Sequence, residues 1–85
     1  MFPIESHLAE VLFDTEAIHS FITTSWIEAH NLPITTMSTP IQIDSAGGKV
    51  RADSVCLNVS VEIRGIEFPA NLIVMGTQRI DVILG

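Results

Sequence analysis

Five apolar residues stand at every second position over a nine-residue stretch, and no other feature of the sequence limits the possible folds as strongly. They are Val55, Leu57, Val59, Val61 and Ile63. A spacing of two places all five side chains on one side of an extended strand, whereas a helix would scatter them. Ile41 and Ile43 show the same spacing earlier, and Arg64-Gly65 is typical of a tight reversal after the longest strand. The chain is therefore predicted to be mainly β.

One helical segment is predicted between residues 18 and 30. Ile18, Ile22 and Trp26 recur at intervals of four, which forms an apolar stripe on one face of a helix. Asn31 can end this helix in a left-handed cap, and Pro33 prevents it from continuing. The apolar stretches 68–74 and 80–84 indicate two further strands. Together these elements predict a small closed β-fold with one short helix.

Composition excludes several classes of partner. A formal charge of -6 repels phosphate backbones, so nucleic acid is not expected to bind. No apolar stretch reaches the roughly 20 residues of a membrane span, and we expect no membrane partner and a cytoplasmic location. Hydrophobic residues make up 47% of only 85 residues, more than a small monomer hides easily, which favours a dimer. Cys56 is the only cysteine and is predicted to be a small buried residue.

The chemistry of the chain points to the segment Asp14-Thr15-Glu16-Ala17, which follows the apolar run Val11-Leu12-Phe13. An Asp at the end of such a strand is either a turn-forming residue or a functional carboxylate, and the residues alone leave both open. His19 lies close in sequence, but the spacing D-x-E-x-x-H is not an established set of metal ligands. We expect no metal and no cofactor, and a supporting hydrogen bond from His19.

Two motifs at opposite ends of the chain carry a resemblance to a known family. Asp14-Thr15-Glu16-Ala17 and Ile83-Leu84-Gly85 resemble the catalytic turn and the closing strand of retropepsins, and segments 63–74 and 80–85 resemble the protease of plant gypsy-type retrotransposon polyproteins. The resemblance implies a small closed β-barrel of the acid protease type. It also implies a single retropepsin-like domain over residues 1–85, which stops before the helix and terminal strand that follow in the family.

The resemblance further implies an aspartic endopeptidase that cuts a polyprotein as a homodimer and needs no cofactor. One carboxylate comes from each chain, and the two share a proton and activate a water molecule. The catalytic turn comprises Asp14, Thr15, Glu16 and Ala17. A hairpin tip that covers the bound peptide comprises Ser45, Ala46, Gly47, Gly48 and Lys49. Structural support of the site comes from His19, Ile83, Leu84 and Gly85.

Glu16 departs from the family, which has glycine at this position, and Ile18 stands where these plant elements usually have threonine. Glu16 either strains a backbone that needs glycine or places its side chain in the substrate channel. In a dimer, two Asp14 and two Glu16 carboxyl groups would crowd one site and disturb the shared proton. We therefore expect severely reduced activity. The alternative is a non-catalytic, dimerising or peptide-binding remnant of a retrotransposon.

Overall fold

The computed structural model of the chain describes residues 1–45, 48–76 and 79–85. These residues form eight strands and one short helix, so the mainly β prediction is confirmed. The elements are β1 (Phe2–Ile4), β2 (His7–Ala9), β3 (Val11–Phe13), β4 (Phe21–Thr23), α1 (Thr24–His30), β5 (Thr35–Ser45), β6 (Gly48–Ile63), β7 (Ile66–Met75) and β8 (Val82–Leu84).

The strands form one sheet that curls into a nearly closed barrel. Their order is β2-β1-β6-β7-β4-β8-β3, and β5 pairs with β6 outside this path. Strands β2 and β3 stand at the two ends of the order, yet only Glu10 separates them in sequence, so the ends lie side by side. β8 is parallel to β3 and antiparallel to β4, and it therefore lies between them. The predicted small closed barrel of the retropepsin type is confirmed.

The core lies inside the barrel and is built from strands that are distant in sequence. Ile4, Ile22, Val61, Leu72 and Val82 are each fully buried and come from five different strands. The helix closes one side of this core with Trp26 and Ile27. Burying an apolar side chain of this size is worth roughly 1.5–3 kcal/mol. The barrel therefore depends on long-range contacts, because no single segment could bury these residues alone.

The helix begins at Thr24, so the predicted stripe from Ile18 is wrong in its first half. Ile22 belongs to β4, and the side chain of Ile18 is 91% exposed. The boundary is set by Thr23, whose extended backbone ends β4 and whose hydroxyl accepts a hydrogen bond from the Trp26 amide at 3.3 Å. The predicted end is confirmed, because Asn31 has a left-handed backbone and its N–H donates to Ile27.

A bulge at Asn58 interrupts the alternation that predicted β6. Between the pairs Cys56–Leu72 and Val59–Ala70, β6 contains one more residue than β7. Asn58 has a φ of 53°, which asparagine tolerates better than most residues, and its amide donates to Asn71 Oδ1 at 3.0 Å. The predicted strand is confirmed, but the prediction that its alternating apolar side chains all lie on one face is wrong. Cys56 points into the core, and Leu57 is 49% exposed.

The β6–β7 hairpin turns at the two residues that the sequence indicated. Ile63 pairs with Ile66, which leaves Arg64 and Gly65 as a two-residue loop. Both have positive φ, 53° and 78°, as a primed hairpin turn requires. Glycine adopts this backbone at no steric cost, and the prediction of a tight reversal is confirmed.

Candidate active site

β8 joins the two motifs that lie at opposite ends of the sequence. Leu12 pairs with Ile83 and Phe13 with Leu84 in a parallel ladder. The Asp14 amide continues this ladder and donates to the Leu84 carbonyl at 2.9 Å. The segment Ile83-Leu84-Gly85 thus lies directly beside the turn that begins at Asp14.

The turn orients the Asp14 carboxylate through backbone hydrogen bonds. The Glu16 amide donates to Asp14 Oδ1 at 3.0 Å, and the Ala17 amide donates to the Asp14 carbonyl at 3.1 Å. An Asp side chain that accepts from the second amide beyond it forms a compact local turn. Asp14 is half-buried, whereas Thr15 and Glu16 are exposed. The carboxylate is therefore fixed within one chain but remains accessible from outside.

Glu16 occupies an ordinary backbone conformation. Among the described residues, positive φ outside glycine occurs at Glu5, Ser6, Asn31, Asn58 and Arg64, a set that does not include Glu16. The backbone at this point therefore does not require glycine, and a strained turn is not the effect of Glu16. Any effect of this residue must come from its exposed side chain and its charge.

Gly85 is the glycine of the site that cannot carry a side chain. A Cβ atom there would lie 2.6 Å from the Ala17 carbonyl oxygen and 2.7 Å from that of His19. Real Cβ atoms essentially never approach so closely, and both neighbours are backbone atoms that cannot swing aside. The Gly85 amide also donates to Ser20 Oγ at 3.1 Å. Gly85 therefore allows the end of β8 to pack directly against the backbone of residues 17–19, which follow the turn.

His19 contributes to this region through its main chain and through ring packing. Its carbonyl is one of the two that face Gly85, and its ring lies edge-on to Phe21 with centroids 6.3 Å apart. The predicted supporting hydrogen bond from its side chain stays a prediction. Ser20 and Asp81, which sequence reasoning missed, each make a side-chain hydrogen bond at one end of β8: Ser20 Oγ accepts from the Gly85 amide, and Asp81 Oδ2 accepts from the Glu10 amide. Ser20 gave no sequence signal, whereas Asp81 is a polar residue directly before an apolar strand.

An apolar row runs across the outer face of the barrel beside the turn. Leu12, Ile83, Phe21 and Ile73 lie directly opposite one another on β3, β8, β4 and β7, so their side chains share one face. Leu12 is 42% exposed, and Asp14 follows it by two residues. Phe13, on the opposite face of β3, is 48% exposed. Phe21 and Ile83 are partly exposed and Ile73 is buried, so the accessible part of this row is the part that lies beside the turn.

The predicted hairpin tip belongs to the β5–β6 hairpin. Asp44 pairs with Lys49 and Ser45 with Gly48, so the two strands remain antiparallel up to the tip. Ala46 and Gly47, which form the centre of the predicted tip, lie outside the described residues. The hairpin is confirmed as an element, and its role in covering a peptide stays a prediction.

Cys56 lies in the core, as predicted for a small buried residue. Its side chain is 1% exposed, and burial raises the pKa of its thiol. A thiol in this environment is a poor nucleophile. In the part of the chain that the structure describes, no three His, Cys, Asp or Glu side chains are grouped as metal ligands. No helix within that part is long and apolar enough to cross a membrane.

Comparison with known proteins agrees with this geometry. The family model described as retroviral aspartyl protease matches residues 1–85, which is the whole chain. None of the curated proteins that were compared matches it. The family match covers the Asp14 turn, the closing strand β8 and every strand between them. On this match and on its barrel, the chain belongs to the retroviral aspartyl protease family.

Proposed function

We propose that this chain is the protease domain of a plant gypsy-type retrotransposon polyprotein, which it cleaves as a homodimer in the cytoplasm. The observation that carries the proposal is the Asp14 carboxylate, which the Glu16 amide holds at 3.0 Å in a turn bonded to β8. Family membership supports the reaction class. A single free cysteine without a disulfide is compatible with a reducing compartment.

The chemistry of peptide hydrolysis requires a second copy of the chain. Each chain offers one Asp14, and the reaction needs one carboxylate to take a proton from water and a second, protonated carboxyl group to give a proton to the peptide carbonyl oxygen. The water oxygen then bonds to the carbonyl carbon, and the bond from carbon to nitrogen breaks as the nitrogen gains a proton. Thr15, exposed beside Asp14, can brace the two turns against each other across the dimer axis. Phe13 and Ile18, both exposed near the turn, offer apolar surface for the contact.

The substrate proposed for this site is an extended peptide with apolar side chains next to the cleaved bond. Leu12, Ile83 and Phe21, the exposed or partly exposed members of the apolar row, lie beside Asp14 and provide an apolar surface for such side chains. Transfer of an apolar side chain from water to such a surface is favourable by roughly 25 cal/mol for each Å² buried. We propose that residues Ser45 to Lys49 close over the peptide from the other side.

Glu16 is proposed to reduce this activity through its charge and not through strain. Its side chain is exposed next to the carboxylate that must share a proton with its partner, and like charges in contact cannot all ionise comfortably. The second candidate function, a non-catalytic dimerising or peptide-binding remnant, is favoured by the same residue. The two candidates differ in one measurable property, which is whether any variant of the chain cleaves a peptide.

The test compares peptide-library cleavage between about pH 4 and pH 7 by the native chain, Glu16→Gly, Glu16→Ala and Asp14→Asn. We expect Glu16→Gly to raise activity at least about 100-fold, the lower end of what a positioned general acid or base contributes, because the shared proton of the Asp14 pair is restored. Glu16→Ala, which removes the carboxylate but keeps a Cβ, separates charge from bulk. Asp14→Asn should abolish cleavage in each background.

Stability provides the control for this comparison. Because Glu16 has an ordinary φ, glycine there should lower the free energy of unfolding by about 0.4–1 kcal/mol, since glycine increases the conformational entropy of the unfolded chain. A gain in activity with a loss of stability would therefore come from the site itself. Cleavage by none of the variants, in a chain that sedimentation shows to be dimeric, would reject the protease and support the binding remnant. A native chain as active as Glu16→Gly would refute the role given to Glu16.

A further inference from the structure

We propose that Asp81 is a positioning residue, which sets the register of β8 and thereby holds the catalytic turn in place. Its side chain and main chain connect β8 to both neighbouring strands at the end far from Asp14. Asp81 touches no reacting atom in this proposal. Only the final step, the effect on cleavage, rests on the proposed protease function.

Asp81 makes hydrogen bonds in two directions. Its carboxylate Oδ2 accepts from the Glu10 amide at 2.9 Å, and its own amide donates to the Glu10 carbonyl at 3.0 Å. Its carbonyl accepts from the Thr23 amide at 3.0 Å. Glu10 directly precedes β3, and Thr23 ends β4. One residue thus fixes the start of β8 against both strands between which it lies.

β8 needs a residue that fixes its register because it is short and its own side chains specify that register weakly. It has three residues, and all three are apolar: Val82, Ile83 and Leu84. Val82 is fully buried in the core, whereas Ile83 lies on the outer apolar row. A slip of one residue would exchange these two faces, and a run of three apolar residues offers little resistance to that exchange. The reciprocal bonds between Asp81 and Glu10 are satisfied in one register only.

The register at Asp81 determines the position of Asp14 at the other end of β8. Leu84 follows Asp81 by three residues, a distance of about 10 Å along a strand. The Leu84 carbonyl then meets the Asp14 amide at 2.9 Å, and Gly85 reaches Ser20 Oγ. If β8 slipped, the Leu84 carbonyl would no longer lie opposite the Asp14 amide, and Gly85 would lose its close approach to the Ala17 and His19 carbonyls. Asp81 therefore acts on the carboxylate of Asp14 through a rigid strand.

The experiment is amide hydrogen exchange measured by NMR in the native chain, Asp81→Ala, Asp81→Asn and the control Asp53→Ala. Asp53 is an exposed aspartate whose carboxylate accepts from the adjacent Ser54 hydroxyl, so its loss should change nothing at the site. In Asp81→Ala we expect the Asp14 amide to exchange at least about tenfold faster. The Glu5 amide, which is bonded to Ser60 and takes no part in the pairing of β8, should keep its rate. Asp81→Asn keeps an acceptor oxygen and should restore protection of Asp14 to within about threefold.

Equal acceleration at Asp14 and Glu5 would overturn the proposal, because it would show general loosening of the fold. Unchanged exchange at Asp14 in Asp81→Ala would overturn it as well, and so would failure of Asp81→Asn to restore protection. If Asp81→Ala does not fold, Asp81→Ser is compared in the same way. In whichever background cleaves peptide, Asp81→Ala should lower kcat far more than it changes KM, and Asp81→Asn should recover it. The exchange result stands even if no variant cleaves, so the two proposals fail separately.

Discussion

The hydroxyl and the methyl group of Thr23 make separable contributions to stability, and three substitutions distinguish them. Thr23 is fully buried at the point where β4 becomes α1, and its hydroxyl accepts from the Trp26 amide at 3.3 Å. Thr23→Val keeps the shape but removes the acceptor. Thr23→Ser keeps the acceptor but removes the methyl group, and Thr23→Ala removes both.

The expected losses follow from the contacts of each group. Loss of a helix N-cap costs about 1 kcal/mol, which is the loss expected for Thr23→Val. Loss of one fully buried methyl group also costs about 1 kcal/mol, which is the loss expected for Thr23→Ser. Thr23→Ala should therefore lose about 2 kcal/mol. For a domain of this size that lowers the melting temperature by about 8–16 °C.

Urea denaturation, followed in parallel by far-UV circular dichroism and by fluorescence of the single tryptophan, measures these free energies. Trp26 is 5% exposed in the folded chain, so its emission should shift to the red on unfolding. Thr36→Val, at an exposed position of β5, is the matched control and should stay within about 0.5 kcal/mol of the native chain. A Thr23→Val variant as stable as the native chain would refute the capping role.

Two glycines and one cysteine give further tests. Gly65→Ala should lower the free energy of unfolding by about 1–2 kcal/mol in thermal denaturation, because the φ of Gly65 is 78°. Gly76→Ala, with open space around the new Cβ, should be neutral or slightly stabilising. Equal effects of the two substitutions would contradict this explanation. Because burial raises the pKa of the Cys56 thiol, the folded chain keeps a proton that the unfolded chain releases, so the free energy of unfolding should fall as pH rises above 9.0. Urea titrations on either side of that pH measure this decrease in the free energy of unfolding. The decrease should be smaller in Cys56→Ala than in the native chain, and an equal decrease in both would assign it to other groups.

Sequence reasoning succeeded where structure is set by adjacent residues. Arg64-Gly65 and Asn31 specify a turn and a helix end through their own backbone preferences. It failed where distant partners decide. Ile18 has the spacing of a helix, but pairing with β7 and β8 draws the residues after Ser20 into β4. The alternation of β6 gave no sign of the bulge at Asn58, because the partner that stabilises it is Asn71 on another strand.

The candidate site shows the same division. The residues of the Asp14 turn and of the closing motif could be recognised in the sequence. That the two motifs lie side by side followed from the resemblance to retropepsins, because the spacing of apolar residues does not show which strands pair. The ordinary φ of Glu16 could not be read from the sequence, because it depends on how the Asp14 carboxylate folds back on the turn. The bonds of Asp81 join residues 71 positions apart, which no local spacing reveals.

The parallel pairing of β3 with β8 also has a consequence for timing. During synthesis on the ribosome the Asp14 segment emerges early, but the carbonyl that receives its amide belongs to Leu84. Pairings between such distant parts of a chain form slowly, since a large loop must close before the contact stabilises it. The turn therefore cannot be completed until almost the whole domain has been made. The order of the strands therefore ties completion of the Asp14 turn to the synthesis of β8.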